Sequence, residues 1–271
     1  MIREFTIFGL TVGTYSLMAF IAALTCAVMS WRPLRRTSLP RIGVLVLLAV
    51  TCISFLVCAR LWNVAVNPDS YSETRPWYTL QMAGFSMYGG LLGAFLVILT
   101  CSKIFRISPA KIFDAFTVPG AVAFCLARVG CFLNGCCGGK RTDLPWGVIF
   151  PSEMDELIKD VIPIVPIQRY AVHPTQLYEL ALALIGIPLC LWLVKLFRAG
   201  DGGRFFIYGV WFNTLRLAVL PLRALPYSRI VTSVVYPLIY YVLIVIGIFL
   251  FVWSCRKSRT EREKGMPVDS D

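Results

Sequence analysis

Arginine and cysteine side chains follow an apolar stretch near the middle of the chain. Arg128 comes after FTVPGAVAFCLA and precedes Cys131, Cys136 and Cys137 in the segment ARVGCFLNGCCGGK, residues 127–140. An ionised side chain within membrane hydrocarbon costs on the order of 3 kcal/mol, so it tends to face a partner or a water-filled cavity. A guanidinium group presents a planar fork of donors that fits a phosphate bidentately. The segment therefore predicts the anion-binding wall of a phospholipid site.

A second polar group begins the segment VHPTQLYELALAL, residues 172–184, which contains the only histidine of the chain. Pro174 suits the first turn of a helix, which places His173 near its N-cap. A spacing of three then brings His173, Gln176 and Glu179 to one side of the first two turns. His173 has two open interpretations, a structural cap or a functional group. A glutamate one turn or more into an apolar helix favours function for Glu179.

A third segment, YGVWFNTLRLAVLPLR at residues 208–223, places Arg216 well inside an apolar stretch. Arg223 follows seven residues later, which predicts the same helical face. Because Arg128 and Arg216 lie on different helices, we expect them to share one anionic ligand. The alternative is that Arg216 pairs with a carboxylate such as Glu179, which is a structural role.

Two weaker features concern small and aromatic residues. Gly89 and Gly90 lie in FSMYGGLLGAFLVI, residues 85–98, where glycines permit close helix contact or a path for an acyl chain. Tyr15 places a hydroxyl within hydrocarbon, where it needs a hydrogen-bond partner.

The elements that must position these residues are membrane helices. Residues of the hydrophobic set make up 58% of the chain, 15% are charged, and the mean hydropathy is +0.72. A polytopic membrane protein is the expected class. The net charge of +11 comes from short basic clusters between apolar segments, which are orientation signals, so we predict no nucleic-acid partner.

Seven segments approach the roughly twenty residues that span a bilayer. They are 8–30, 42–62, 83–102, 114–134, 176–197, 204–223 and 231–254. Basic clusters follow the first, third, fifth and seventh segments, so the positive-inside rule predicts an outside N-terminus and a cytoplasmic C-terminus. We expect an all-α integral membrane protein with one membrane domain, 1–254, and an extracytoplasmic loop at 136–172. The polar tail, 255–271, is expected to be cytoplasmic and disordered.

Cys131, Cys136 and Cys137 cluster near the predicted outer face, where a disulfide is permitted. One alternative is a soft-metal site with His173 as a further ligand, although the spacing is not a standard zinc spacing. Another is a thiolate activated by Arg128 that takes the lipid covalently. We predict no cofactor, and the metal site stays an alternative.

In their order, these segments resemble the prolipoprotein diacylglyceryl transferase family of bacterial inner membranes. YSLM resembles the family's first-helix motif and YGGLLG its HGG-L-x-G motif. RVGCFLNGCCGG resembles R-x-G-N-F-x-N-G-E followed by glycine, HPTQLYE resembles HPSQLYE, and RLAVLPLR resembles RF-x-x-E-x-x-R. The resemblance covers most of residues 5–250.

The resemblance implies a multi-pass enzyme that moves the diacylglyceryl group of phosphatidylglycerol to the lipobox cysteine thiol of a prolipoprotein, with glycerol phosphate leaving. It implies that Arg128 and Arg216 hold the lipid phosphate and stabilise the leaving group. The catalytic set that we expect is Arg128, Arg216, His173, Glu179 and Tyr88. The substrate-binding set that we expect is Tyr15, Gly89, Gly90, Asn134, Gly139, Gln176 and Arg223.

The chain departs from the family pattern at four positions. Tyr88 stands in place of a histidine, Cys131 of an asparagine, and Cys136 and Leu220 of glutamates. Tyr88, with an ordinary pKa near 10, is a poor base, so His173 or Glu179 could activate the thiol instead. The alternatives are a related transferase with another acceptor, or a non-enzymatic lipid- or metal-binding membrane protein centred on the cysteines.

Overall fold

The computed structural model describes residues 4–7, 10–66, 68, 78, 85–150, 170–225 and 230–264. Within them, seven helices are long and apolar enough to cross a membrane, which confirms the predicted all-α membrane architecture. The helices are α1 (Thr14–Arg36), α2 (Arg41–Val66), α3 (Met87–Phe105), α4 (Pro109–Asn134), α5 (Thr175–Phe197), α6 (Gly203–Val219) and α7 (Tyr236–Glu263). A 3-10 turn, Leu220–Leu222, extends α6, and a π-helical turn, Val231–Val235, precedes α7. Residues 151–169 of the predicted outer loop lie outside the described residues.

The chain begins with a short antiparallel hairpin of β1 (Glu4–Ile7) and β2 (Leu10–Gly13). The prediction that the first span starts at residue 8 is therefore wrong, because α1 starts at Thr14. Thr11 and Val12 are β-branched and favour an extended backbone. Hydropathy alone does not distinguish this strand from the helix that follows it.

The last helix is longer than the apolar pattern predicts, since α7 continues to Glu263. The expectation of a disordered tail is therefore wrong for residues 255–263, which are helical. Charged pairs one turn apart support the extension, Lys257 with Glu261 at 3.8 Å and Arg259 with Glu263 at 3.0 Å. Residues 265–271 lie outside the described part of the chain.

Large apolar side chains cover the outside of the helices. On α7, Leu238, Val245 and Phe249 are each at least 60% exposed. Exposing so much apolar surface to water is unfavourable for a folded chain, whereas contact with apolar lipid tails is not. The protein is a multi-pass membrane protein.

Basic residues collect at one end of the helices. They occupy the last turns of α1, α3, α5 and α7. Arg262 near the end of α7 donates a hydrogen bond to the carbonyl of Arg198 at the end of α5 (2.7 Å), so these two ends are neighbours. The end of α4 and the start of α5 lie at the opposite end, where the polar motifs meet.

Glycines allow the helices to approach closely. A Cβ on Gly93 of α3 would lie 2.6 Å from the Ser54 carbonyl oxygen of α2, and one on Gly130 of α4 would lie 2.7 Å from the Met18 Cβ of α1. Close backbone approach is a main source of helix association in membranes, where no hydrophobic effect acts between helices.

Asp114 connects α4 to the start of α6. Its carboxylate accepts hydrogen bonds from the backbone N–H groups of Gly202 (2.8 Å) and Phe205 (2.9 Å). A carboxylate at a helix N-terminus satisfies free donors and matches the helix dipole. Both helices then run from this contact toward the opposite end of the protein, where Arg128 and Arg216 lie.

Candidate active site

Glu179 is the centre of a buried charged cluster. It lies in the second turn of α5 and is 1% exposed. Its Oε2 atom is 2.8 Å from Nε of Arg128, and its Oε1 atom is 2.7 Å from Nη1 of both Arg216 and Arg223. One carboxylate thus orients three guanidinium groups that come from α4, α6 and the segment after α6.

The cluster carries an excess of positive charge. Three guanidinium groups share the single carboxylate, so two positive charges are left over in a nearly buried site. The buried Nε atoms of Arg216 and Arg223 have no hydrogen-bond partner among the described residues. Burial, together with the neighbouring positive charge of Arg216, lowers the pKa of Arg223. An anion that enters the cluster would relieve the repulsion between the guanidinium groups and accept hydrogen bonds from the free N–H groups.

The backbone around Gly139 places Arg223 in the cluster. The Gly139 N–H donates to the carbonyl of His173 (2.8 Å), and Gly139 bridges Arg223 in antiparallel fashion. A Cβ on Gly139 would lie 2.5 Å from the carbonyl oxygen of Leu222, so only glycine permits this crossing. The crossing joins the segment after α4, the start of α5 and the end of α6.

Three cysteines lie directly beside the arginines. The Sγ atoms of Cys131, Cys136 and Cys137, which we call the sulfur cluster, all lie within 4.8 Å of one another, and the thiols are free. The disulfide considered from the sequence is therefore not formed in this structure. Nη1 of Arg128 is 4.0 Å from Sγ of Cys131. Hydrogen bonds from the Cys131 and Cys136 thiols, followed by the charges of Arg128 and Arg223, lower the pKa of Cys137.

The aromatic residue Tyr88 borders the cluster from α3. Its ring lies 5.9 Å from the Arg216 guanidinium carbon and 5.8 Å from the ring of Tyr240 of α7. Its hydroxyl is buried and has no hydrogen-bond partner in the described part of the chain. Tyr88 can therefore offer a hydrogen bond to a ligand beside Arg216.

His173 lies at the surface end of the site, just before α5. Nδ1 of its ring is 3.4 Å from the hydroxyl of Tyr178, which also accepts a hydrogen bond from the Trp146 indole (2.8 Å). Its backbone pairs with Gly139 and Lys140. One ring nitrogen is thus occupied by Tyr178, and the backbone joins His173 to Gly139 and Lys140, which in turn pair with Arg223 and Leu222.

The family model for prolipoprotein diacylglyceryl transferase matches residues 4–253. The chain belongs to that family.

Two of three curated relatives of this family match most of the chain. The phosphatidylglycerol--prolipoprotein diacylglyceryl transferase of Clostridioides difficile (strain 630) is 26% identical over 232 residues, 81% of this chain and 86% of the relative. The protein of the same name from Clostridium tetani is 27% identical over 249 residues, 91% of this chain and 95% of the relative. A third, from Phenylobacterium zucineum, is 33% identical over 132 residues, 48% of this chain and 45% of the relative.

In this member of the diacylglyceryl transferase family, most of the site residues predicted from the motifs lie close together. Arg128, Arg216 and Glu179 meet directly, so the pairing of Arg216 with Glu179, considered as the alternative, is the one observed. Arg223 also reaches the cluster, but it does not lie on the same helical face as Arg216, as the spacing predicted. The helix α6 ends at Val219, and the backbone of Arg223 is extended.

Other predicted site residues lie around the cluster. Gln176 is fully buried, and its Nε2 atom donates to the carbonyl of Cys136. Asn134 is the last residue of α4 and lies beside the sulfur cluster. Tyr15 lies on α1 against Gly130, within electrostatic reach of the cysteines.

Two predicted substrate-binding residues lie elsewhere. Gly89 and Gly90 face α2, where a Cβ would be 2.3 Å from Cβ of Trp62 and 2.6 Å from the ring of Phe55. Both glycines therefore allow close packing of α3 against α2, and their contact with the substrate stays a prediction. The sequence also did not indicate Tyr240, whose position in a uniformly apolar helix carries no local signal.

Proposed function

We propose that the chain transfers the diacylglyceryl group of phosphatidylglycerol to the cysteine thiol of a prolipoprotein, as the names of its relatives describe. The observation that carries the proposal is the buried cluster of Arg128, Arg216 and Arg223 around Glu179. Its excess positive charge and free N–H groups suit a phosphate in a low-dielectric environment. Glu179 orients the arginines, since both of its oxygens are occupied by guanidinium groups.

A cavity beside the cluster suits an amphipathic lipid. It has a volume of about 610 Å³ and is bordered by Lys140 and Arg223 on its polar side. Leu217, Leu220 and Tyr241 are among its apolar lining residues. A headgroup can meet the basic side chains here while an acyl chain follows the apolar wall toward the membrane.

The reaction forms one bond and breaks one. The thiol sulfur attacks the glycerol carbon that carries the phosphate ester, a C–S bond forms, and the C–O bond breaks. The electron pair of that bond leaves with glycerol phosphate, and the arginines stabilise the charge that develops on its oxygen. A thioether is the product on the prolipoprotein.

His173 takes the thiol proton in this proposal. Histidine is the only side chain whose ordinary pKa lies between 5 and 8, so it can accept a proton at neutral pH. Tyr178 occupies Nδ1 and orients the ring, which leaves Nε2 for the thiol. Tyr88 positions the incoming group through its free hydroxyl beside Arg216.

The location that we propose is the bacterial cytoplasmic (inner) membrane, with the site toward the outer leaflet. Support comes from the basic ends of α1, α3, α5 and α7, which the positive-inside rule assigns to the cytoplasm. In this orientation the N-terminus is outside and the C-terminus is cytoplasmic.

The full chain in phosphatidylglycerol nanodiscs, mixed with a lipobox peptide, tests the reaction. We expect a peptide thioether and released glycerol phosphate, both measured by mass spectrometry. Arg128→Ala and Arg216→Ala should each lower kcat roughly 10²–10³-fold. Arg259→Ala, which changes an exposed arginine at the other end of the protein, is the matched control. Absence of the thioether with wild-type protein, or full activity of Arg128→Ala, would contradict the proposal.

The proton acceptor is tested in the same assay. His173→Gln should lower the rate roughly 10²–10⁴-fold at neutral pH. The loss should shrink as pH rises, because the peptide thiol then ionises without help. A constant loss across the pH range would assign His173 a structural role instead.

A further inference from the structure

The sulfur cluster has no part in the proposed transfer, although it is the densest group of metal-ligating atoms in the described residues. Its three Sγ atoms lie within 4.8 Å of one another. Sulfur ligands around one metal ion, each at about 2.3 Å from it, lie at comparable separations.

The end of α4 builds this arrangement. Gly135 is left-handed (φ 75°), its N–H donates to the carbonyl of Phe132, and the Cys136 N–H donates to the carbonyl of Cys131. These two bonds form a Schellman motif, in which the residue after the left-handed glycine returns over the residue five positions before it. Cys136 is thereby held against Cys131 by the backbone itself.

Cys137 is held in a conformation that favours glycine. Its φ is 62°, although glycines occupy positions 135, 138 and 139 around it. A non-glycine residue in this region costs on the order of 1–3 kcal/mol, and such strain collects at functional sites. Ser38, Arg106 and Arg198 also have a positive φ, so the conformation of Cys137 supports a role for its thiol only together with the contacts of the cluster.

The first turn of α5 locks the backbone of both cysteines. The Thr175 hydroxyl donates to the Cys137 carbonyl (2.9 Å), and the Gln176 amide donates to the Cys136 carbonyl (2.5 Å). Thr175 and Gln176 are at most 1% exposed. A rigid surrounding layer of this kind is what orients metal ligands in proteins.

The ligand set favours copper over zinc. Three thiols form the group, and among the described residues neither a histidine nor a carboxylate belongs to it. His173, considered as a fourth ligand from the sequence, has its ring against Tyr178 instead. Thiolates bind both Cu(I) and zinc, but structural zinc is almost always held by four protein ligands, which these three thiols do not provide.

The surroundings of such a complex carry positive charge. Cu(I) with three thiolates carries two negative charges. Arg128, whose Nη1 atom lies 4.0 Å from Sγ of Cys131, places a positive charge directly beside the cluster. A buried charged group needs such compensation, and few sites in a membrane protein provide it.

We propose that Cys131, Cys136 and Cys137 bind one Cu(I) ion as a three-thiolate site. Binding displaces the protons of the thiols to solvent and changes the oxidation state of neither copper nor sulfur. The proposal does not depend on the transferase activity.

Anaerobic titration of the full-length protein with Cu(I), against a chromophoric Cu(I) chelator, tests the proposal. We expect one equivalent to bind, with an X-ray absorption spectrum that fits three sulfur neighbours. Cys131→Ser, Cys136→Ser and Cys137→Ser should each weaken binding by at least the roughly 10–100-fold that loss of a surrounding partner costs. Cys52→Ser, which changes an exposed thiol on α2, is the matched control and should bind as wild type does.

A second measurement protects the test against variants that fail to fold. Equimolar Cu(I) should slow alkylation of the three thiols in the wild-type protein, as followed by peptide mass spectrometry, and leave Cys255, beside the charged end of α7, unaffected. Failure to retain Cu(I) against the chelator, retention that survives replacement of all three cysteines, or tight binding of Zn(II) but not Cu(I) would each overturn the proposal.

Discussion

At the scale of single residues, the site depends on one carboxylate that forms ion pairs with three arginines. Glu179 is almost fully buried, and both of its oxygens contact guanidinium groups. Breaking a buried charged network by removing one partner leaves uncompensated charge, which costs more than the network itself contributes to stability. Glu179 is thus needed to assemble the site before any lipid arrives.

Replacing Glu179 tests this role. Glu179→Gln should lower the free energy of unfolding by about 3–5 kcal/mol, because three guanidinium groups are left without a carboxylate. Thermal unfolding in detergent measures the effect, and added glycerol phosphate should restore part of the lost stability. Glu261→Gln, which removes the partly exposed partner of Lys257, should change stability by less than about 1 kcal/mol. Equal melting temperatures of Glu179→Gln and the wild-type protein would show that the carboxylate is not needed for stability.

At the scale of elements, glycine contacts decide which helices pair. Gly93 is packed against the backbone of α2, whereas a Cβ on Gly120 of α4 would find no atom within 4 Å. The two glycines look alike in the sequence, since both lie in apolar helices. Only the packed helices show which of them is a contact, and the same comparison places Gly89 and Gly90 at the α2–α3 interface.

The two glycines provide a matched pair of substitutions. Gly93→Ala should destabilise the protein by about 1–3 kcal/mol, because the new methyl group meets the Ser54 carbonyl oxygen and the backbones must separate. Gly120→Ala should be neutral or stabilising by up to about 1 kcal/mol, since alanine is the better helix former. Unfolding in detergent compares them, and an equal effect of both would refute close packing of α2 and α3.

At the scale of the whole molecule, the seven helices separate a basic end from the end that carries the site. Arg141 is exposed beside the site, and Lys103 is exposed at the basic end of α3. Charge bias in short loops sets the orientation of the whole protein, so these two positions should lie on opposite sides of the membrane.

Labelling of introduced cysteines tests this orientation. In a background with Cys137→Ser and Cys255→Ser, a membrane-impermeant maleimide added to spheroplasts should label Arg141→Cys and leave Lys103→Cys unlabelled. Lysis should make both reactive, which controls for accessibility. Labelling of Lys103→Cys in intact spheroplasts would reverse the proposed topology and place the site at the inner leaflet.

The sequence by itself determined the seven spans, their basic ends and most of the charged residues of the site, because a charge or a long apolar run in a membrane has few permitted environments. Hydropathy did not predict the start of α1 or the end of α7. Strand propensity determines the backbone conformation at the first position, and ion pairs one turn apart stabilise the helix at the second. Tertiary structure alone decided that Glu179 joins all three arginines and that Arg223 arrives from an extended segment after α6. Such contacts depend on how separate helices are set against one another, which no local pattern encodes. The same holds for the sulfur cluster, where the turn after α4 and the first turn of α5 together hold three thiols side by side.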